Sequence, residues 1–373
     1  MISRLRIENY KCFSKFQCQF GAFQLLVGDN GSGKTSVFDV VESLRDVVTR
    51  GQSISDAFPT HTLTAWSTLD VQTFELEVEG NGGRYEYQLV IDQDRRTSKS
   101  WINCEHLYFY EPHAEEETPL FVFNGVDAML YKDDGSDGPS FPFDSARSPL
   151  STIPERPDNK RLTWFRRRME RVFVFSPDSP RMTASSDSEI ATPDRQLHQF
   201  ASWLRHLNQE RGNFLSVLSN ALADGVLDGL KNIRLERVSE ATRTLKLEFE
   251  YPGSKPFSLS FDSLSDGQRH LVALYTILIA AIDQDSTVCL DEPDNFVALR
   301  EIQPWLIQLS EAVEDRNSQC LLISHHSESL NYLAARSGLI FERTDSGAVG
   351  VRPFDWQGEE MLTPAEVVAR GWE

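Results

Sequence analysis

The chain has 373 residues, 40% of them hydrophobic and 25% charged, which is ordinary globular composition. The 56 acidic and 37 basic residues give a formal net charge of −19, excluding a protein that coats itself with nucleic acid non-specifically. No apolar run approaches the roughly 20 residues that cross a bilayer. The five scattered cysteines form no C-x-x-C pair, and the N-terminus lacks a signal-peptide core, so a reduced, cytoplasmic setting with no membrane is expected.

Arg4 to Glu8 and Phe16 to Phe20 alternate like strands. Phe23 to Val27 is a short apolar run ending in Gly28-Asp29-Asn30-Gly31-Ser32-Gly33-Lys34-Thr35, which fits G-x-x-x-x-G-K-[ST] at every fixed position. Val37, Phe38, Val40, Val41, Leu44, Val47 and Val48 then share one helical stripe, the strand–loop–helix context the motif requires. Gly28, Asn30, Gly31, Ser32 and Gly33, with Ser36 in the helix start, are expected to cradle phosphates with backbone N–H groups. Lys34 would reach the β- and γ-phosphates as a point charge, and Thr35 would place its hydroxyl on Mg²⁺.

From about Val71 to Tyr131 the period is two, and Phe74–Glu79 and Tyr85–Ile91 flank Gly80-Asn81-Gly82-Gly83 as a hairpin. An antiparallel β insertion over residues 52–131 follows from this. Residues 132–160 are rich in Asp, Gly, Ser and Pro and read as a flexible loop. Arg166, Arg167, Arg168 and Arg171 form the one basic run, either a solvated helix face or a local DNA-binding patch. Val172 to Phe175 is a brief strand, Ser179 to Asp194 is polar, and helical periodicity over Phe200–Leu222 makes residues 161–244 a mainly helical subdomain. No heptad run is sustained.

The core is then expected to resume. Thr244 to Phe249 alternates as a strand, and Leu264-Ser265-Asp266-Gly267-Gln268 precedes an apolar helix over Leu271–Ile282. A buried strand, Ser286–Leu290, ends at Asp291-Glu292, an amphipathic helix spans Ile302–Val313, and a second buried strand, Cys320–Ile323, ends at Ser324-His325-His326. Alternating strands and helices predict a mainly parallel core sheet built from residues 1–50 and 245–345, with 346–373 as a C-terminal tail. Asp291 would hold Mg²⁺, mostly through water, and Glu292 would orient and deprotonate the attacking water. Tyr10, Lys11 and Phe13 either pack on adenine or belong to an edge-strand core. Gln196 and Gln199 are candidates for a glutamine that senses Mg²⁺.

Read together, these motifs resemble the ABC-type ATPase heads of the RecF, Rad50/SMC and OLD group. Leu264–Gln268 looks like the signature loop of those heads, and Leu5–Phe13 like their opening strand. Phe200–Leu204 and Glu292-Pro293-Asp294-Asn295 are similar to segments of bacterial stand-alone AAA-family ATPases of the AAA15/AAA21 type. The resemblance implies an α/β P-loop NTPase head with antiparallel β and short helical insertions. It implies Mg²⁺-dependent ATP hydrolysis by a head-to-head homodimer, with Ser265, Gly267 and Gln268 closing over ATP held by the partner. Ser324-His325-His326 is similar to the switch-histidine segment. Aligning on a Thr-His-Ser version selects His326, the preferred reading, and a Ser-His version selects His325.

A separate effector, often a nuclease, in DNA repair or anti-phage defence is also implied. The short stretch after His326 leaves no room for a Toprim nuclease, and the missing coiled coil argues against long-range DNA tethering. Two further readings compete: an ATP-gated scaffold that does not hydrolyse, and the ATP-binding subunit of a transporter. The long interval between Lys34 and Ser265 disfavours the transporter.

Overall fold

A computed structural model describes residues 1–113, 116–344, 347–355 and 362–371. The strands are β1 (Ile2–Tyr10), β2 (Phe13–Gln19), β3 (Phe23–Gly28), β4 (Val71–Gly80), β5 (Gly83–Asp94), β6 (Lys99–Tyr110), β7 (Glu117–Phe123), β8 (Asp127–Tyr131), β9 (Asp137–Pro142), β10 (Val172–Phe175), β11 (Ser185–Ser186), β12 (Leu230–Arg237), β13 (Arg243–Phe249), β14 (Phe257–Ser260), β15 (Thr287–Asp291), β16 (Gln319–Ile323), β17 (Gly338–Arg343) and β18 (Val349–Pro353). The helices are α1 (Lys34–Arg50), α2 (Ile54–Ala57), α3 (Lys160–Glu170), α4 (Phe200–Arg211), α5 (Phe214–Ala223), α6 (Asp266–Ala280), α7 (Leu299–Asp315), α8 (Ser327–Ser337) and α9 (Pro364–Ala369). Among the described residues no helix is long and apolar enough to cross a membrane.

A six-stranded sheet in the order β10-β15-β16-β3-β17-β18 carries the phosphate-loop strand near its middle. Its strands run parallel except β18, which pairs antiparallel with β17. β15 and β16 are buried at every position, as strands covered on both faces must be. Successive side chains of a strand point to opposite faces, so this sheet separates two cores. Leu25, Val27, Val288, Leu290 and Leu322 pack with α4 to α7 on one side. Leu26, Cys289, Leu321 and Ile323 pack with α1 and the second sheet on the other.

That second sheet is antiparallel and eight-stranded, in the order β2-β1-β4-β5-β6-β7-β8-β9. Tyr85, Tyr87, Leu89 and Ile91 of β5 are buried on its inner face, matching the period of two. The hairpin turn has Gly80 opposite Gly83, with Asn81 at φ 50° and Gly82 at φ 80°, the left-handed pair of a type I′ turn. β1 and β2 belong here and not to the parallel sheet, so the expected core segment 1–50 is divided between two sheets. One buried amide joins them. Gln319 donates to the carbonyls of Ile2 (2.7 Å) and Gly21 (3.0 Å) and accepts from the Ile2 N–H (2.9 Å) and the Thr287 hydroxyl (2.9 Å).

Three boundaries differ from expectation. Residues 132–160 are not a loose loop: they contain β9 and a 3₁₀ turn at Pro149–Thr152, tied down where the Ser148 hydroxyl donates to Glu105 (2.7 Å) and the Ile54 N–H to Ala146 (2.9 Å). β13, predicted to resume the core, lies in a separate antiparallel sheet with β11, β12 and β14, so the region read as mainly helical includes strands. Alternation identifies a strand but not its neighbours. The tail expected over 346–373 falls partly on residues 346, 356–361 and 372–373, outside the described residues; its described part adds β18 and α9.

Candidate functional site

The glycine loop joins β3 to α1. Gly28 has φ 144°, and a Cβ there would fall 2.2 Å from the Phe341 carbonyl oxygen. Gly33 has φ 97°, and a Cβ there would lie 2.8 Å from Cys12 Sγ and from the Phe13 ring. Both positions admit only glycine. The loop runs directly into the N-terminus of α1, where the helix dipole and unpaired N–H groups favour an anion. Lys34 is buried, and its ammonium donates to the carbonyls of Gly28 (2.5 Å) and Asp29 (2.9 Å). Burial lowers its pKa, partly opposed by Glu292 and Asp291.

A cavity of roughly 380 Å³ opens over this loop. Asn30, Gly31, Gly33, Lys34, Thr35 and Ser36 line it, and Glu292 and His325 face it from the ends of β15 and β16. Gly28 and Ser32 are buried within the loop. The Thr35 hydroxyl donates to Asp291 Oδ1 at 3.5 Å, so a hydroxyl and a carboxylate converge beside the loop. These hard oxygen donors suit Mg²⁺, which commonly takes one or two protein ligands and leaves the rest to phosphates and water. Burial raises the Asp291 pKa, and Arg195 opposes that shift.

Glu292 has φ 49°, a strained value for a residue with a Cβ. Its N–H donates to the Ile323 carbonyl (2.9 Å), and Asn295 Nδ2 donates to its carboxylate (3.0 Å). Behind it, Asp294 is buried and accepts hydrogen bonds from the hydroxyls of Ser324 and Ser329. The loop after β15 is thereby fastened to the segment after β16. His325 faces the cavity, and burial followed by Lys34 lowers its pKa. His326 does not line the cavity. It caps α8, its Nδ1 accepting from the Glu328 N–H at 3.3 Å, so the histidine that lines the cavity is His325 and not His326, the preferred reading of the alignment.

Other sequence candidates fare unevenly. Tyr10 and Phe13 are 2% and 0% exposed, so they are core residues. Lys11 lines the cavity and pairs with Asp39 at 2.7 Å. Neither Gln196 nor Gln199 lines the cavity. The residue of that segment that contacts a site side chain is Arg195, which donates to Asp291 (2.7 Å) and to Asp39 on α1 (2.7 Å). Nothing in the local sequence marks it, since its partners are about a hundred residues or more away.

Each arginine of the basic run has a partner within the chain, while the Arg167 side chain stays 65% exposed. Arg168 is buried and donates to Thr287 (2.5 Å), Arg166 donates to the Ile153 carbonyl, Arg167 pairs with Glu155 (2.6 Å) and Arg171 with Asp283 (3.3 Å). Charge alone did not reveal these partners.

The signature-like turn stands apart from the cavity. Ser265 is exposed at the start of α6 and forms a capping box, its hydroxyl accepting from the Gln268 N–H (3.2 Å) while Gln268 Oε1 accepts from the Ser265 N–H (3.1 Å). Ser265, Gly267 and Gln268 are not among the residues lining the cavity. His270, one turn on, bonds the Pro293 carbonyl at 2.7 Å, linking α6 to the loop after Glu292.

Comparison with known proteins finds relatives of this fold. An SMC head bound to the C-winged helix domain of ScpA matches with TM-score 0.58 and 14% identity, over 96% of this chain and 99% of that one. An SMC head with an extended coiled coil, bound to the C-terminal domain of ScpA and derived from Pyrococcus furiosus, matches with TM-score 0.50 and 13% identity, over 94% of this chain and 95% of that one. These likenesses concern the fold. The sequence finds no match among curated proteins. The family model described as "AAA domain, putative AbiEii toxin, Type IV TA system" matches residues 23–331. With its glycine loop, Asp291-Glu292 strand end and SMC-head fold, the chain belongs to that AAA-domain family of ATPases.

Proposed function

We propose that this protein hydrolyses Mg²⁺-ATP in a head-to-head homodimer and serves as the regulatory or motor ATPase of a separate effector in DNA repair or anti-phage defence. One observation carries the dimer: the Leu264–Gln268 turn is presented outward at Ser265, away from its own chain's phosphate cavity. A second copy offers the triphosphate that such a helix N-terminus would face. The family description, naming a putative toxin and a Type IV TA system, supports the defence role and a partner. The ScpA-bound state of the two SMC heads supports a separate protein partner.

In this reading the loop N–H groups and Lys34 hold the phosphates and offset charge developing on the γ-phosphoryl group. Thr35 and Asp291 would hold Mg²⁺, which neutralises phosphate charge when bound. Glu292 accepts the proton of the attacking water, and its fixed backbone aims the carboxylate. His325 contacts the γ-phosphate side, and Ser265 and Gly267 of the other copy complete the enclosure.

The test is Glu292→Gln. Loss of a general base lowers turnover by about 100-fold or more, while ATP binding persists and the variant elutes as a dimer only with ATP. Full turnover in the variant would remove Glu292 from its role. An unchanged elution volume with ATP would remove the dimer. ATP-dependent dimers of the wild type without phosphate release would leave the non-hydrolytic scaffold.

A further inference from the structure

Resting on the ATP-binding reading above, we infer that Trp66 is the stacking platform for the nucleotide base. Tyr10 and Phe13 are sealed in the core. Trp66, by contrast, is 52% exposed and lines the same cavity as Lys34, Thr35 and Glu292. Among the described residues lining that cavity it is the one large aromatic ring. An indole has much apolar surface to gain from cover, and its face attracts another π system.

The ring stands on a fixed mount. Thr64 is fully buried, and its hydroxyl donates to the Phe13 carbonyl at 3.1 Å. The Lys11 N–H donates to the Thr62 carbonyl at 2.6 Å, and the Ser67 N–H to the Thr64 carbonyl at 3.0 Å. Trp66 Nε1 itself donates to the Ser14 hydroxyl at 3.1 Å, so the indole's single donor is used and its orientation set. The stretch after the 3₁₀ turn at Thr60–Thr62 is therefore clipped to the β1–β2 turn, whose Lys11 and Cys12 form the adjoining wall. A mobile aromatic would lose entropy on stacking, and this one is already ordered. The cavity volume of roughly 380 Å³ lies within the range of small-ligand sites. One wall presents phosphate-binding groups and another a rigid ring. That pairing fits a ligand with a polyanionic tail and a flat heteroaromatic head, a nucleoside triphosphate.

The experiment compares ATP with inorganic tripolyphosphate, each with Mg²⁺, by calorimetric titration of wild type, Trp66→Ala and Trp66→Phe. Trp66→Ala should weaken ATP binding about 10- to 100-fold and leave tripolyphosphate affinity unchanged. Trp66→Phe should keep most of the ATP affinity but lose the ATP-dependent fluorescence change of the wild type. Equal ATP affinity in wild type and Trp66→Ala overturns the inference and leaves the ATPase reading standing. Parallel loss of ATP and tripolyphosphate in Trp66→Ala also overturns it, because the pocket and not the base contact was lost. Failure of the wild type to bind ATP overturns both.

Discussion

The phosphate cavity and the Leu264–Gln268 turn are built on opposite plans. The phosphate site draws on residues from widely separated parts of one chain, and its main charged groups are partnered: Lys34 on loop carbonyls, Asp291 on Thr35 and Arg195, Glu292 on Asn295 and Ile323. The turn draws on five consecutive residues. Ser265 and Gln268 satisfy each other, and the apolar side of α6 is anchored through Leu271, Leu274 and Ile277. A region assembled from distant segments is specified by tertiary packing. A self-capped turn keeps its shape unaided and is free to present a surface outward. The difference is what the proposed site, shared between two copies, would require.

The strongest way to break that contrast is to mix two disabled proteins. Lys34→Ala removes the charge in the cavity, and Ser265→Arg fills the turn. Each alone should lose about 100-fold or more in turnover, the scale of a lost electrostatic transition-state group. Mixed in equal amounts, they should recover a substantial part of wild-type phosphate release, since a mixed dimer keeps one intact site. No recovery on mixing would place the turn's role within its own chain.

Turnover against pH can report the cavity only if the fold's own titration is known. The carboxyl of Glu105, buried in the antiparallel sheet against Tyr87 and Ser148, has its pKa raised by burial to about 7. An acid whose folded pKa exceeds its unfolded value keeps its proton longer when folded. Its neutral form is accommodated below the unfolded pKa, near 4.5, and stability falls as pH rises from there toward 7. The loss approaches roughly 3 kcal/mol. Glu105→Gln should therefore melt higher than wild type at pH 8 and show no such gain at pH 4.5; equal melting shifts at both pH values would reject this account.

Smaller effects sharpen the boundary between the two regions. Arg195→Ala frees Asp291 from a competing cation, so the Mg²⁺ concentration for half-maximal turnover should fall several-fold, by the usual scale of a buried charge contact. A rise instead would make Arg195 a support for the carboxylate. Ser265→Ala should cost about 1 kcal/mol in denaturant unfolding, the usual worth of a cap, with nucleotide affinity of the separate heads unchanged. Weaker binding by isolated heads would tie the turn to its own cavity.

Much of the parallel sheet was legible because β3, β10, β15 and β16 carry short apolar runs and the glycine loop has fixed spacing. Leu290-Asp291-Glu292 was legible for the same reason: acids directly after a buried strand mark its exposed end. What escaped was partnership. β1 and β13 alternate as cleanly as any strand, yet nothing in alternation says which sheet receives them. Arg195 and Arg168 look alike in sequence; one donates to Asp291, and the other is buried against Thr287. Adjacent histidines cannot be ranked by type when the backbone turns between them, sending His325 to the cavity and His326 to a helix cap. The strained backbone of Glu292 and the mount of Trp66 depend on contacts with Ile323 and Ser14 that local pattern does not encode.

The Asp294 clasp has a mechanical corollary. Because a single carboxylate grips Ser324 and Ser329, the chain carrying Glu292 and the chain carrying His325 are one stiff jaw. His270 hooks α6 to the same piece through Pro293. In the proposed dimer, a shift at Glu292 or His325 on phosphate release would pass through this piece to α6 and its outward-facing serine, joining product escape to the parting of two heads.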